Sequence, residues 1–160
     1  MLYKKLQQSI LCISLFFSAQ LFAREIHLDI TTDIGDHAIF KKGDKVNFLL
    51  NLSNDAYLFV FYTNANGQVH RLLPEKNDML LFLNAGWFLP VPGDNLEFIV
   101  SEPYGKETIS IIALSDVMTG LVTLYKKSSS MSEIVSAYRE YAQTNSFDFG
   151  YSSKSIQTSP

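Results

Sequence analysis

Eight consecutive residues from 56 to 63, Ala-Tyr-Leu-Phe-Val-Phe-Tyr-Thr, carry no charge and almost no polarity. A run of that kind fits a central strand covered on both faces rather than one with a wet side. Turn signals bracket it. Ser53-Asn54-Asp55 precedes it, and Asn64-Ala65-Asn66-Gly67 follows. The second cluster predicts a hairpin, because Asn and Gly tolerate the positive φ that a tight turn needs.

The flanking segments read as more strands. Residues 25–30 alternate, with Ile26, Leu28 and Ile30 on one face and Glu25, His27 and Asp29 on the other. Period two marks a half-buried strand. Residues 31–45 form a polar loop, and residues 46–52 a second strand. After the hairpin, residues 68–73 return as the partner of 56–63, and Pro74 ends them, since proline cannot donate to a sheet ladder. Short strands are expected at 79–83, 96–101 and 108–114, with turns at Asn84-Ala85-Gly86, Pro92-Gly93 and Pro103-Tyr104-Gly105. Turns recurring this often predict a mostly β fold, an antiparallel sandwich of immunoglobulin-like type. Towards the C-terminus, Ser130 lies three residues before Glu133, the spacing of a capping box. Ile134, Ala137, Tyr138, Tyr141 and Ala142 then follow helical spacing, which predicts one amphipathic helix over 131–143. Phe147, Phe149 and Tyr151 alternate with polar residues and predict a last strand. Residues 24–157 are expected to be one domain, and 158–160 a disordered tail.

The N-terminus has the parts of a secretory signal peptide. Lys4 and Lys5 supply positive charge, residues 10–17 are apolar, and Ala23 is a small residue before the polar Arg24-Glu25. A spanning helix needs about 20 apolar residues, and Ser14, Ser18 and Gln20 interrupt this one, so cleavage after Ala23 is expected. The only cysteine, Cys12, would leave with the leader. The mature chain would then have no disulfide, thiol nucleophile or thiolate metal site. Losing two lysines leaves 11 basic residues against 16 acidic ones, a net charge of −5. That balance argues against nucleic-acid binding, which needs clustered cations. No later segment is long and apolar enough to hold the chain in a membrane.

Catalytic motifs are missing. There is no Gly-x-Ser-x-Gly elbow and no phosphate-cradling glycine loop. Asp29, Asp33, Asp36 and His37 cluster and could in principle meet a divalent cation, but their spacing fits no calcium loop; they read as a solvated acidic loop. Scattered carboxylates such as Glu75, Glu97, Glu102 and Glu107 read as solubilising charges. His27 and His70 fall on polar strand faces. No catalytic residue, metal or cofactor is therefore expected. Aromatic residues are the richest feature. Most should fill the core, with tyrosine hydroxyls at its rim. Trp87, Tyr57, Tyr62 and Tyr104 are the candidates for contacting a glycan or peptide, Trp87 foremost because it follows Gly86 in a turn.

Residues of about 40–116 also carry an ordered set of short segments: Gly43-Asp44-Lys45-Val46, the run 54–62, Asn66-Gly67-Gln68-Val69, Leu72-Leu73-Pro74, Ala85-Gly86, Leu89-Pro90, and Pro103-Tyr104-Gly105-Lys106-Glu107 leading into 111–115. In this order they resemble the bacterial domain of unknown function 4384 family. The resemblance implies an exported protein with a sandwich-like module, and carries over no functional residue. The sequence departs from the usual pattern at Leu73, where an aromatic often stands, and at Ser115-Asp116. Export without a catalytic set points to a protein-interaction or assembly module of a bacterial envelope, in the periplasm or outside, with a protein partner. A glycan- or peptide-binding domain is the alternative.

Overall fold

The computed structural model describes residues 24–35, 38–75, 80–93, 97–118 and 130–160. The expected signal peptide lies outside the described residues, as do Asp36 and His37. Along the chain the elements are β1 (Leu28–Thr32), β2 (Ile39–Lys41), β3 (Lys45–Val46), β4 (Phe48–Leu52), β5 (Ala56–Thr63), β6 (Val69–Leu73), β7 (Leu81–Leu83), β8 (Leu89–Val91), β9 (Phe98–Ile99), β10 (Lys106–Leu114), α1 (Met131–Asn145) and β11 (Phe149–Ser159). Among the described residues the fold is mostly β, with sandwich-like sheets and one C-terminal helix.

The larger sheet runs β2-β11-β10-β5-β6, with β7 also pairing with β5. The smaller sheet runs β1-β4-β8, and β3 and β9 form a separate ribbon. All pairings between these strands are antiparallel except β2 with β11. The immunoglobulin-like detail of the expectation finds no support in this order, which places the last strand inside the larger sheet.

β5 is the pivot, and both its faces are covered. Ala56, Leu58 and Val60 face the smaller sheet and join Leu50, Leu52, Ile109, Ile111 and Val91 in one core. Phe59 and Phe61 point the other way and join Ile112, Leu114, Ile134, Tyr138 and Ala142 in a second core under α1. The molecule thus has three layers: small sheet, large sheet, helix. Burying several large side chains on each face, at about 1.5–3 kcal/mol apiece, is what fixes this stacking.

α1 starts where the capping box predicts. The Ser130 hydroxyl accepts from the Glu133 N–H, and the Glu133 carboxylate accepts from the Ser130 N–H at 2.9 Å. The helix runs two residues past the expected end, and Ser146 closes it in the left-handed region at φ 57°.

Several expectations need correction. The loop over 31–45 contains β2, held by the C-terminal end of β11. The strand at 46–52 is two strands broken at Asn47. Residues 158–160 are no disordered tail, since β11 extends to Ser159 and Thr158 is buried. Pro90 lies within β8, which is tolerated because β8 is an edge strand of the smaller sheet.

Candidate functional site

Two surface features stand apart from the core. The first is a cleft of ≈ 420 Å³ beside the β3–β9 ribbon, lined by Phe48, Tyr62, His70, Phe98, Glu102 and Glu107 among others. Its geometry follows from strand register. Tyr62 and His70 are cross-strand partners on β5 and β6, and their rings stack with centroids 6.4 Å apart. Glu107 occupies the inward register of β10, the face that carries Ile109 and Ile111 deeper in, and is 5% exposed. A buried carboxylate needs donors. The Tyr62 hydroxyl is beside it, and Thr158 Oγ1 lies 3.3 Å away, its one hydrogen shared with the Gly105 carbonyl at 3.1 Å. Thr158 is itself fixed, accepting from the Gly105 N–H at 3.0 Å. Burial first, then the bond and charge of Glu107, raise the Tyr62 phenol well above the usual tyrosine range. Phe48 and Phe98 meet edge-on at 6.4 Å and form the apolar wall.

The second feature is an aromatic corner where the chain passes from β7 in the larger sheet to β8 in the smaller. The turn is tied down through its backbone. The Ala85 N–H donates to Asp55 Oδ1 at 2.8 Å, the Gly86 N–H to the Leu52 carbonyl at 3.1 Å, and Asn51 Nδ2 to the Trp87 carbonyl at 3.3 Å. Gly86 adopts φ +75°, which suits glycine. On this fixed backbone the side chains of Trp87 and Phe88 are each 68% exposed. Leu49, also exposed, lies opposite Pro90 on the outer face of the smaller sheet. The outcome is a displayed apolar surface on rigid backbone.

The four candidate contact residues do not converge. Trp87 is at the corner. Tyr57 and Tyr62 sit on opposite faces of β5; Tyr57 packs edge-on against Phe82 on the helix side, with centroids 5.0 Å apart. Tyr62 lines the cleft, and Tyr104 packs against the sandwich core. No single platform can use all four. Of the acidic loop, Asp33 accepts from Asn47 Nδ2 at 3.0 Å, and among the described residues no group of three His, Cys, Asp or Glu is placed to hold a metal ion. His27 is exposed.

The expectation that Glu107 is a solubilising charge is corrected by its burial, and Leu49 was not among the expected site residues, though both left a signal. Glu107 stands at the inward parity of β10. Leu49 interrupts the alternation of β4 with an apolar residue on the wet face.

The model of the family described as Domain of unknown function (DUF4384) matches residues 39–116. The match takes in β2 to β10, including the cleft wall and the aromatic corner, and leaves out β1, α1 and β11. No curated protein and no solved structure matches the chain.

Proposed function

We propose that this protein, with its DUF4384 domain at residues 39–116, is an exported, non-catalytic module of a bacterial envelope that docks a protein partner through the Trp87–Phe88 corner. The carrying observation is the adjacent pair of large aromatic side chains, each 68% exposed, on a turn held by backbone hydrogen bonds. Exposed aromatic residues on fixed backbone bind at low entropic cost and are enriched among the residues that dominate interfaces. Export is supported by the charged, apolar and small-residue order of residues 1–23. The partner is expected among periplasmic or envelope proteins.

The test is site-specific photo-crosslinking in the source bacterium. A photoreactive residue at position 87 or 88 should give a discrete adduct, and one at exposed Glu140 on the helix should not. Absence of an adduct at the corner, or equal adducts at both places, would overturn the reading.

The cleft favours a second reading, a small envelope glycan or peptide held against Tyr62 and His70. Its volume lies within the range of small-molecule sites. Trp87 is the only tryptophan and does not line the cleft. Corner binding should therefore shift its fluorescence to shorter wavelength. Cleft binding should leave the emission unchanged while moving the amide resonances of Glu107 and Thr108.

A further inference from the structure

Residues 24–26 are built into the fold at the point where the leader would be removed. The Arg24 backbone N–H donates to Asp148 Oδ1 at 2.7 Å. The Arg24 carbonyl accepts from the Phe149 N–H at 3.3 Å, and the Ile26 N–H donates to the Phe149 carbonyl at 3.1 Å. These bonds make a parallel bridge between Glu25 and Phe149. Asp148 is held independently of them. Its N–H donates to Ser115 Oγ at 2.8 Å, and its carbonyl accepts from the Ser115 N–H at 3.1 Å. A positioned carboxylate thus meets the nitrogen of the Ala23–Arg24 peptide bond, the bond that the small Ala23 marks for cleavage.

We infer that Asp148 is the receptor for the new N-terminus, a site for the α-ammonium group that leader removal creates at Arg24. Hydrolysis adds water across the Ala23–Arg24 bond. Ala23 departs with a carboxylate that keeps the water oxygen, and the Arg24 nitrogen keeps its one amide hydrogen and takes both hydrogens of the water, becoming an ammonium. A neutral amide offers Asp148 one hydrogen. The ammonium offers three and a full charge, and charge-assisted bonds are about twice as strong as neutral ones. Processing therefore tightens the anchor that carries the chain into Ile26 and β1. The charged or titratable side chains lining the adjoining groove, among the described residues, are Arg24 itself, Glu25, Arg139 and Tyr151; Arg139 is engaged over the Phe149 ring at 5.1 Å. This inference rests on the export reading.

The experiment expresses the full 160-residue precursor in a bacterium and characterises the exported product. Intact mass should place its first residue at Arg24. Inserting one glycine after Ala23 moves the ammonium one residue away, and should lower the melting temperature by about 1–3 °C. Asp148→Asn should abolish that difference. The α-amino pKa of the unaltered product should lie at least about half a unit above its ordinary ~7.8. A raised value means that the added stability is complete below about pH 7.8, the ordinary value, and lost as pH rises through the folded-state pKa. A product beginning at another residue sinks both the cleavage position and this inference. A product beginning at Arg24 with an ordinary α-amino pKa, or with a glycine effect that persists in Asp148→Asn, sinks this inference alone.

Discussion

At Gly150 a Cβ would lie 2.3 Å from the Ile26 carbonyl oxygen and 2.9 Å from both Ile26 Cβ and Leu28 Cδ1. The close approach of the N-terminal segment to β11 depends on that missing carbon, because backbone cannot move aside as a flexible side chain can. Gly150→Ala should therefore destabilise the fold by at least about 2 kcal/mol, read as a shift in the urea midpoint at unchanged slope; a midpoint within error of the parent would refute the steric account. Ionisation at two tyrosines sets a second limit. Burial raises the phenols of Tyr62 and Tyr138 above the ordinary tyrosine range, with Glu107 adding to the effect at Tyr62 and Arg71 opposing it at Tyr138. Each folded-state pKa exceeds its unfolded value near 10. Their stabilising contribution is then whole below about pH 10 and lost as pH climbs above it. Tyr138→Phe should soften the alkaline transition. At neutral pH it should cost little, since the Tyr138 hydroxyl is buried with no hydrogen-bond partner among the described residues. A stability profile unchanged above pH 10 in that variant would refute the assignment. The exposure of Trp87 is legible in the glycine before it, whereas Glu107 and Gly150 matter through neighbours distant in the chain.

Local rules govern some elements and distant partners govern others. α1 belongs to the first kind. Its cap, its apolar stripe of Ile134, Tyr138 and Ala142, and its place against Phe59 and Phe61 form one consistent set, so the helix was legible in the sequence. The all-apolar β5 was legible for a similar reason, because nothing but two covering layers suits it. Ser130→Ala removes the side-chain acceptor at the helix start and should cost about 1 kcal/mol, measurable by chemical denaturation. Ser130→Asp should restore most of it, which separates capping from a general effect of substitution. β2 and most of β11 were illegible. Three residues, Ile39-Phe40-Lys41, have too little pattern to announce a strand. The second half of β11 is Ser, Lys, Gln and Thr apart from Ile156, and exists as a strand because β10 and β2 pair with it on either side. Their ladders impose an extended backbone that local propensity does not request.

The molecule as a whole does not divide where the family match divides it. The matched segment, residues 39–116, contains β10 but lacks β11, its antiparallel partner from Lys106↔Gln157 to Leu114↔Phe149. Without β11 one edge of β10 is bare, and β2 loses its link to the larger sheet. Without α1, the buried Phe59, Phe61, Ile112 and Leu114 would face water. Long, flat, apolar edges and faces of that kind invite aggregation. A fragment of residues 39–116 should therefore be insoluble or lack a cooperative thermal transition, while residues 24–160 should melt as one unit. Adding a separate peptide of residues 130–160 should recover ordered amide spectra in the fragment, because that peptide supplies both the missing strand and the missing layer. A fragment that melts cooperatively on its own would show that the C-terminal helix and strand are an attachment to an already complete sandwich, rather than the pieces that close its larger sheet.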